Sequence, residues 1–159
     1  MAQTTTAFVK SEYQVEVSND LVTPTWTDIS GWSTTVDVSG GERTNSETHT
    51  ADGDVPIAVA GKRAAQQVTV NVVYTEGATD AFKIVYAAYL ANAGIGIRYS
   101  PKGGATGTKR YFGSNAAGTA QILCPILNCT PPSMDAGSGD VTMAEFTLLV
   151  PQLVEETIS

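Results

Sequence analysis

The sequence is short of charged residues, and above all of basic ones. Asp, Glu, Lys and Arg make up 16% of the 159 residues, against roughly 25% in a typical soluble domain, and only nine residues are Lys or Arg. Because the formal net charge is -7, phosphate neutralisation is weak and general nucleic-acid binding is disfavoured. The cation pairs Lys62–Arg63 and Lys109–Arg110 are too isolated to form a basic patch.

Histidine and cysteine are also scarce, which limits catalytic and metal chemistry. His49 is the single histidine, so any Ser-His-Asp or Cys-His arrangement must use it, and its polar stretch SETHTADG would hold a base poorly. Cys124 and Cys129 would lie on opposite faces of a continuous strand and have no neighbouring histidine to complete a zinc set. We therefore expect no enzyme activity, no cofactor, no metal site, and two buried thiols without a disulfide.

Long apolar runs are absent as well. No segment approaches the roughly 20 apolar residues that span a bilayer, and the start, MAQTTTAFVKSEYQ, has no hydrophobic signal core. We expect no membrane insertion, and synthesis and folding in a cytoplasm. The missing charge is replaced by Thr, Ala, Ser and Gly, which indicates either large protein–protein surfaces or a Thr-rich all-β domain.

What the sequence does contain is period-two alternation, typical of half-buried strands. The clearest case is Gln66–Thr75, where Val68, Val70 and Val72 alternate with polar residues. Further strands are predicted at Tyr13–Ser18, Ser33–Ser39, Ile95–Ser100, Thr108–Ser114, Thr119–Cys129 and Val141–Gln152. Turn-rich stretches such as PKGGATG and PPSMDAGSGD separate the later ones.

One segment has helical periodicity instead. Its apolar residues recur at i, i+3, i+4, i+7 and i+8, and this stripe predicts a helix over about Asp80–Asn92 that packs on a sheet. Thr79 or Asp80 is the expected N-cap, and Gly94 the expected left-handed residue at the end. The residues of the predicted core stripe are Phe82, Val85, Tyr86, Tyr89 and Leu90.

Between the predicted strands lies a long polar stretch without periodicity, from Gly40 to Gly61. Loops of this length without structure are uncommon in compact domains and are usually functional or disordered. The whole pattern predicts a mainly β protein: one domain built as an antiparallel β-sandwich or barrel with one flanking α-helix and a long inter-strand loop.

This order of elements resembles a known family. The loop GDVPIAVAGKR, the Val-rich strand that follows, the helix DAFKIVYAAYLA, and the later strands around GIRYSPKGG and YFGS are similar to the major tail protein, or tail tube protein, of long-tailed bacteriophages. The resemblance covers roughly residues 10–150. It implies a structural virion protein, a single tail-tube domain over 1–159 with short terminal extensions, that forms hexameric rings stacked into a hollow tube.

The resemblance also implies partners and a location. The partners are further copies of the chain together with tail-tip and tail-terminator proteins, and DNA passes through the lumen without specific binding. The location is the tail of the virion, assembled in the host cytoplasm.

Within this picture, residues 37–61 are expected to be an arm that docks on the adjacent ring. Polar residues keep the free arm soluble, while its exposed apolar residues supply an anchor that only a neighbouring copy buries. The residues expected in this contact are Val55, Ile57, Val59, Glu42, Arg43 and Lys62.

The polar face of the predicted strands is expected to line the lumen. Asp37, Gln67, Thr69 and Asn71 alternate with the valines, so this face meets water, and a weakly acidic wall would not retain DNA. The alternative is that this face is the outer surface of the particle. Two other classes also remain open: a tube or ring protein of a contractile tail or secretion apparatus, and a monomeric β-sandwich binding module.

Overall fold

The computed structural model describes residues 10–159, so most of the predicted N-terminal extension lies outside the described part. Eleven strands and one α-helix follow a short 3-10 turn at Lys10–Glu12. In chain order they are β1 (Gln14–Ser18), β2 (Thr27–Asp28), β3 (Ser33–Gly40), β4 (Arg43–Thr48), β5 (Ile57–Arg63), β6 (Gln66–Val73), α1 (Ala81–Leu90), β7 (Gly96–Ser100), β8 (Lys109–Ser114), β9 (Ile126–Thr130), β10 (Met143–Val150) and β11 (Gln152–Thr157).

The strands form two antiparallel sheets and a separate two-stranded ribbon. The first sheet has five strands in the order β11-β8-β7-β1-β2, and the second has four in the order β3-β6-β10-β9. The ribbon is the hairpin β4-β5. The predicted fold class, a mainly β antiparallel sandwich with one flanking helix, is confirmed.

The inward faces of the two sheets build the core, as the alternation predicts. In β6 the valines at alternate positions, Val68, Val70 and Val72, are fully buried. Phe146 and Leu148 of β10 are their cross-strand neighbours, and Val15 and Val17 of β1 contribute from the five-stranded sheet. At roughly 25 cal/mol per Å² of buried apolar surface, this interior is the main source of stability.

The C-terminal strand predicted over Val141–Gln152 is β10, and a further strand that the sequence did not predict, β11, follows it in the other sheet. β10 belongs to the four-stranded sheet and β11 to the five-stranded one, with Pro151 between them. Proline lacks the N–H that a continuing ladder requires, so it marks the point where the chain changes sheet. The predicted strand Thr119–Cys129 is likewise shorter, because β9 starts only after Pro125, and earlier residues form isolated bridges such as Ile95 with Cys124.

Helix α1 is found where predicted, but its ends differ in detail. Asp80 occupies the N-cap position without capping; its carboxylate accepts a hydrogen bond from the Gly77 N–H at 2.8 Å instead. At the other end Asn92, not Gly94, takes the left-handed conformation, with φ 52°. The N–H groups of Asn92 and Ala93 bond to the carbonyls of Tyr89 and Ala88, which is the Schellman arrangement.

The predicted core stripe of the helix is correct for its first half and wrong for its last turn. Phe82 and Val85 are buried and Tyr86 packs partly against the core, but Tyr89 is 40% exposed and Leu90 67% exposed. At 100° per residue, Leu90 projects about 80° to one side of Phe82, while the buried Ala81 and Val85 lie about 100° and 60° to the other. The buried face is therefore centred away from Leu90.

The long segment predicted as a structureless loop is the β4-β5 hairpin. It continues the antiparallel pairing of β3 with β6, through the bonds Gly41 N–H to Ala65 O (3.3 Å) and Ala64 N–H to Glu42 O (2.9 Å). Residues 37–40, which the predicted arm included, belong to β3 and not to the arm.

Two glycines make the junction between sheet and hairpin. Gly40 and Gly41 have φ of 78° and 80°, and a Cβ at Gly40 would lie 2.6 Å from the Ala65 carbonyl oxygen. Only glycine fits this backbone without strain.

Both thiols behave as core residues, as predicted. Cys124 and Cys129 are buried and free, and burial raises the pKa of each thiol to about 11. They are therefore protonated at neutral pH, and protonated thiols are poor nucleophiles and metal ligands. Among the described residues, no helix is long and apolar enough to cross a membrane.

The helix offers a matched pair of substitutions. Phe82→Ala should lower the free energy of unfolding by about 3–5 kcal/mol, since it empties a buried site where Phe82 contacts Tyr74 and Tyr86 with ring centroids 5.4 Å apart. Leu90→Ala in the monomer should cost less than about 1 kcal/mol, because the side chain is already in water. Denaturant unfolding of both variants measures the difference, and equal losses would mean that the helix is rotated from the orientation described.

Candidate functional site

The polar face of the four-stranded sheet brings together the four residues predicted to line a lumen. Cross-strand register places Asp37 beside Thr69, while Gln67 and Asn71 follow at alternate positions of β6. Asp37 and Gln67 are exposed, and Thr69 and Asn71 are half-buried. The four side chains thus share one water-facing surface on the sheet.

Sequence reasoning missed half of this surface. β10 contributes Glu145 and Thr147, which lie beside Asn71 and Thr69, and β9 contributes Asn128 and Thr130 on the far side. The alternation of apolar and polar residues in TMAEFTLLV predicts a strand. Periodicity does not show, however, which other strand it pairs with.

Hydrogen bonds join the polar side chains across the strands. The hydroxyls of Thr69 and Thr147 lie 3.0 Å apart, and the Asn71 amide donates to the Thr35 hydroxyl at 2.9 Å. Such cross-strand pairs stabilise the sheet and fix the orientation of its surface groups.

The charge of this sheet is purely negative. Asp37 and Glu145 are the charged side chains in its four strands, and none of the residues of those strands is Lys or Arg. The surface accepts hydrogen bonds and has no cation to bind a phosphate.

The same sheet has two open edges. β3 is paired only with β6, and β9 only with β10, so the outer side of each has backbone groups without a strand partner in the described chain. Six of the eight residues in β3 are exposed, and β3 is long for an edge strand. Edges of this kind pair readily with a strand from another chain.

The hairpin projects from one end of this sheet, and it holds the residues predicted for the arm contact. Val55, Ile57 and Val59 are 78%, 54% and 59% exposed. Glu42, Arg43 and Lys62 lie at the base of the hairpin and are also exposed.

The two faces of the hairpin differ. Ile57 and Val59 share one face with Thr48 and Ser46, which are their cross-strand neighbours, while Glu47 lies on the other face beside Ala58. One face is therefore free of charge and partly apolar. Two-stranded ribbons that pack on no further surface are only marginally stable in water.

A groove opens at the opposite end of the sheet. It has a volume of about 660 Å³ and lies between residues 131–142, which connect β9 to β10, and the ends of β6, β9 and β10. Its wall includes the exposed Met134 and Val141 and the carboxylates Asp135, Asp140 and Glu145.

Groups suited to catalysis or metal binding do not come together in the described part of the chain. His49 is exposed in the hairpin, and no group of three or more His, Cys, Asp or Glu residues is arranged to hold a metal. The best-formed ionic cluster is structural: Arg98 donates to Glu16 at 2.6 and 3.1 Å and stacks on Trp26 at 4.1 Å.

Comparison with known proteins gives matches among solved structures. No protein-family model matches the sequence, and a search of curated proteins finds no match. The SPP1 tail tube, solved by solid-state NMR and cryo-EM, matches with a TM-score of 0.66 and 14% identity, covering 95% of this chain and 80% of that one. A chain of the sheath-tube complex of PVC, an extracellular contractile injection system, matches at 0.61 and 17% identity over 97% and 94% of the two chains.

A third solved structure also matches over nearly the whole chain at low sequence identity. The tail of an empty GTA particle, refined with C6 symmetry, gives a TM-score of 0.60 and 7% identity over 96% of this chain and 100% of the other. The fold described above is therefore the tail-tube fold, shared by phage and phage-like tail tube proteins.

The hairpin should be dispensable for folding of the single subunit. Ile57→Asp combined with Val59→Asp replaces exposed side chains that contact no core residue, so the melting temperature of the monomer should change by no more than about 2 °C. Thermal unfolding followed by circular dichroism tests this. A large loss of stability would show that the hairpin packs on its own subunit.

Proposed function

We propose that this chain, which has the tail-tube fold, is the subunit of a tail tube. Copies assemble as rings of six that stack into a hollow tube, and the tube conducts DNA out of a virion. The observation that carries the proposal is the four-stranded sheet, which combines two open edges with a polar face free of cations. The proposal assigns the chain a structural role, with no catalysis and no cofactor.

The open edges fit ring closure. If β3 of one subunit pairs with β9 of the next, every edge of the sheet is satisfied and aggregation at the edges is prevented. Six-fold symmetry is taken from the GTA tail and the anti-feeding prophage baseplate, which are described with it. Six such sheets give a barrel of about 24 strands which, at about 4.8 Å spacing and a tilt of about 40°, is roughly 45–50 Å across.

The polar face then lines the lumen. A wall carrying Asp37 and Glu145 from every subunit repels the phosphate backbone, so a duplex moves along it without adhering. The opposite face, rich in valine, stays in the sandwich core.

The hairpin β4-β5 supplies contact along the tube axis. It extends beyond the end of the sheet and presents Ile57 and Val59, which the neighbouring ring covers. At the two ends of the tube the same surfaces meet tail-tip and tail-terminator proteins. The chain accordingly functions in the virion tail after assembly in the host cytoplasm.

A tube subunit of a contractile apparatus is the second candidate. The match to the PVC sheath-tube complex favours it, since identity and coverage there are similar to those for the SPP1 tail tube. This candidate differs in requiring a sheath around the tube. A monomeric binding module, by contrast, leaves the open edges and the hairpin without a role.

Negative-stain electron microscopy of the concentrated protein tests the proposal. We expect hollow rings or tubes with six-fold symmetry, in amounts that increase with protein concentration. A protein that remains monomeric at high concentration, with no rings in any salt condition, would refute the tube function. Co-sedimentation of the tubes with a sheath protein would distinguish the contractile form.

The lumen assignment predicts a charge effect on DNA passage. Asp37→Lys combined with Gln67→Lys places a positive ring around the channel, so ejection of DNA should slow, and most at low ionic strength where screening is weakest. The measurement is the ejection rate of virions built from the variant, in low and high salt.

The matched control for this charge effect is Val22→Lys. Val22 is 92% exposed in the connection between β1 and β2, away from the four-stranded sheet. Its ejection rate should equal that of the unmodified virion. An unchanged rate for the Asp37 and Gln67 variant in assembled virions would place its polar face on the outside of the tube.

A further inference from the structure

We infer that the groove beneath residues 131–142 is the receptor for the β4-β5 hairpin of a second copy of this chain. This inference rests on the proposed tube function and adds to it the docking surface and its chemistry. The hairpin of one subunit enters the groove of a subunit in the adjacent ring. The apolar side chains pack together there, and the basic hairpin base meets the acidic groove wall.

The position of the two features supports this pairing. The hairpin leaves the four-stranded sheet where β3 ends at Gly40 and β6 begins at Gln66. The groove lies at the other end, beside Asn71 and Met143, which is the end of β6 and the start of β10. The two features cannot meet within one subunit, but copies stacked along the strand direction bring the hairpin of one to the groove of the next.

Both surfaces expose apolar side chains that a monomer leaves in water. On the groove side Met134 is 77% exposed and Val141 66%; on the hairpin side Ile57 is 54% exposed and Val59 59%. Methionine adapts to irregular partners, and β-branched residues on a ribbon present a flat apolar strip. Contact between the apolar side chains of the groove and those of the hairpin removes the exposed apolar surface at each end of the sheet from water.

Charge complementarity points to the same occupant. Arg43 and Arg63 are cross-strand neighbours at the hairpin base, and Lys62 is adjacent, so three of the nine cations in the chain lie together. Glu42, also at the base, offsets one of these three charges, so the base keeps a net charge of +2. Like charges placed directly opposite destabilise a ribbon unless enough anions lie nearby. None of the three salt bridges within residues 10–159 involves these residues.

The groove carries an excess of anions. Asp135, Asp140 and Glu145 are part of its wall, and the described residues that line it include no Lys or Arg. The cationic hairpin base of one copy therefore complements the anionic groove wall of the next copy. Because each copy carries both halves at opposite ends, the contact is heterologous and generates an open filament.

Charge exchange tests the contact. Lys62→Glu with Arg63→Glu, or Asp135→Lys with Asp140→Lys, should each shorten tubes at least about tenfold in ring number, because like charges then face each other. Joining all four substitutions in one chain should restore tubes. Glu76→Lys, at an exposed position outside hairpin and groove, is the control and should form tubes of normal length.

Folding of the groove variants is checked separately. The Asp135 carboxylate accepts a hydrogen bond from the Gly137 N–H at 2.9 Å, so Asp135→Asn with Asp140→Asn keeps the turn and removes only charge. This variant should also shorten tubes, and its melting temperature should equal that of the unmodified protein.

A mixing experiment gives the decisive outcome. The Lys62→Glu and Arg63→Glu variant retains a groove, and the Asp135→Asn and Asp140→Asn variant retains a hairpin. Separately purified samples should show single rings alone and paired rings when mixed, with no longer stacks because the neutral groove does not attract the acidic hairpin. Normal tubes from either variant, or no pairing on mixing, would overturn the groove assignment while leaving the tube function intact. Failure of the unmodified protein to form rings or tubes would instead refute the tube function.

Discussion

The fold depends on the burial of one face of β6. This strand is hydrogen-bonded along its length to β3 on one side and β10 on the other, with register running from Gln66 to Val73. Its inward valines fix which residues of both neighbours face the core, because a shift by one position would invert every side chain. The polar outer face, the edges at β3 and β9, and the exit point of the hairpin all follow from that register.

The strands that bury one face were predictable because burial imposes a period of two. The alternation in β1, β6 and β7, and the first turn of the helix at Phe82 and Val85, predicted elements that the structure confirms. The position of Leu90 was not predictable in the same way, since a stripe of five apolar residues does not reveal where along it the supporting sheet stops.

The hairpin escaped prediction for the opposite reason. RTNSET has no alternation of apolar and polar residues. It forms a strand through backbone hydrogen bonds to β5, and none of its side chains is buried. A segment whose proposed partner lies in another molecule carries no periodicity relative to its own core. The exposed Ile57 and Val59 were the readable signal, and they indicated a contact without indicating its shape. The groove had no such signal, because it arises only when residues 131–142 fold beside the ends of three strands distant in sequence.

Gly40 and Gly41 give the proposed tube a mechanical property. Each sandwich is a packed, incompressible body, whereas the hairpin joins it through two chain segments only: Gly40–Gly41, both at φ near 80°, and Ala64–Ala65. When such a tube curves, the spacing between rings widens on the outer side and narrows on the inner side. In the proposed tube, that displacement falls on this narrow junction and not on a packed core. The junction therefore contributes to the bending stiffness of such a tube. A methyl group added at Gly40 would lie 2.6 Å from the Ala65 carbonyl oxygen and would strain every ring-to-ring connection along its length.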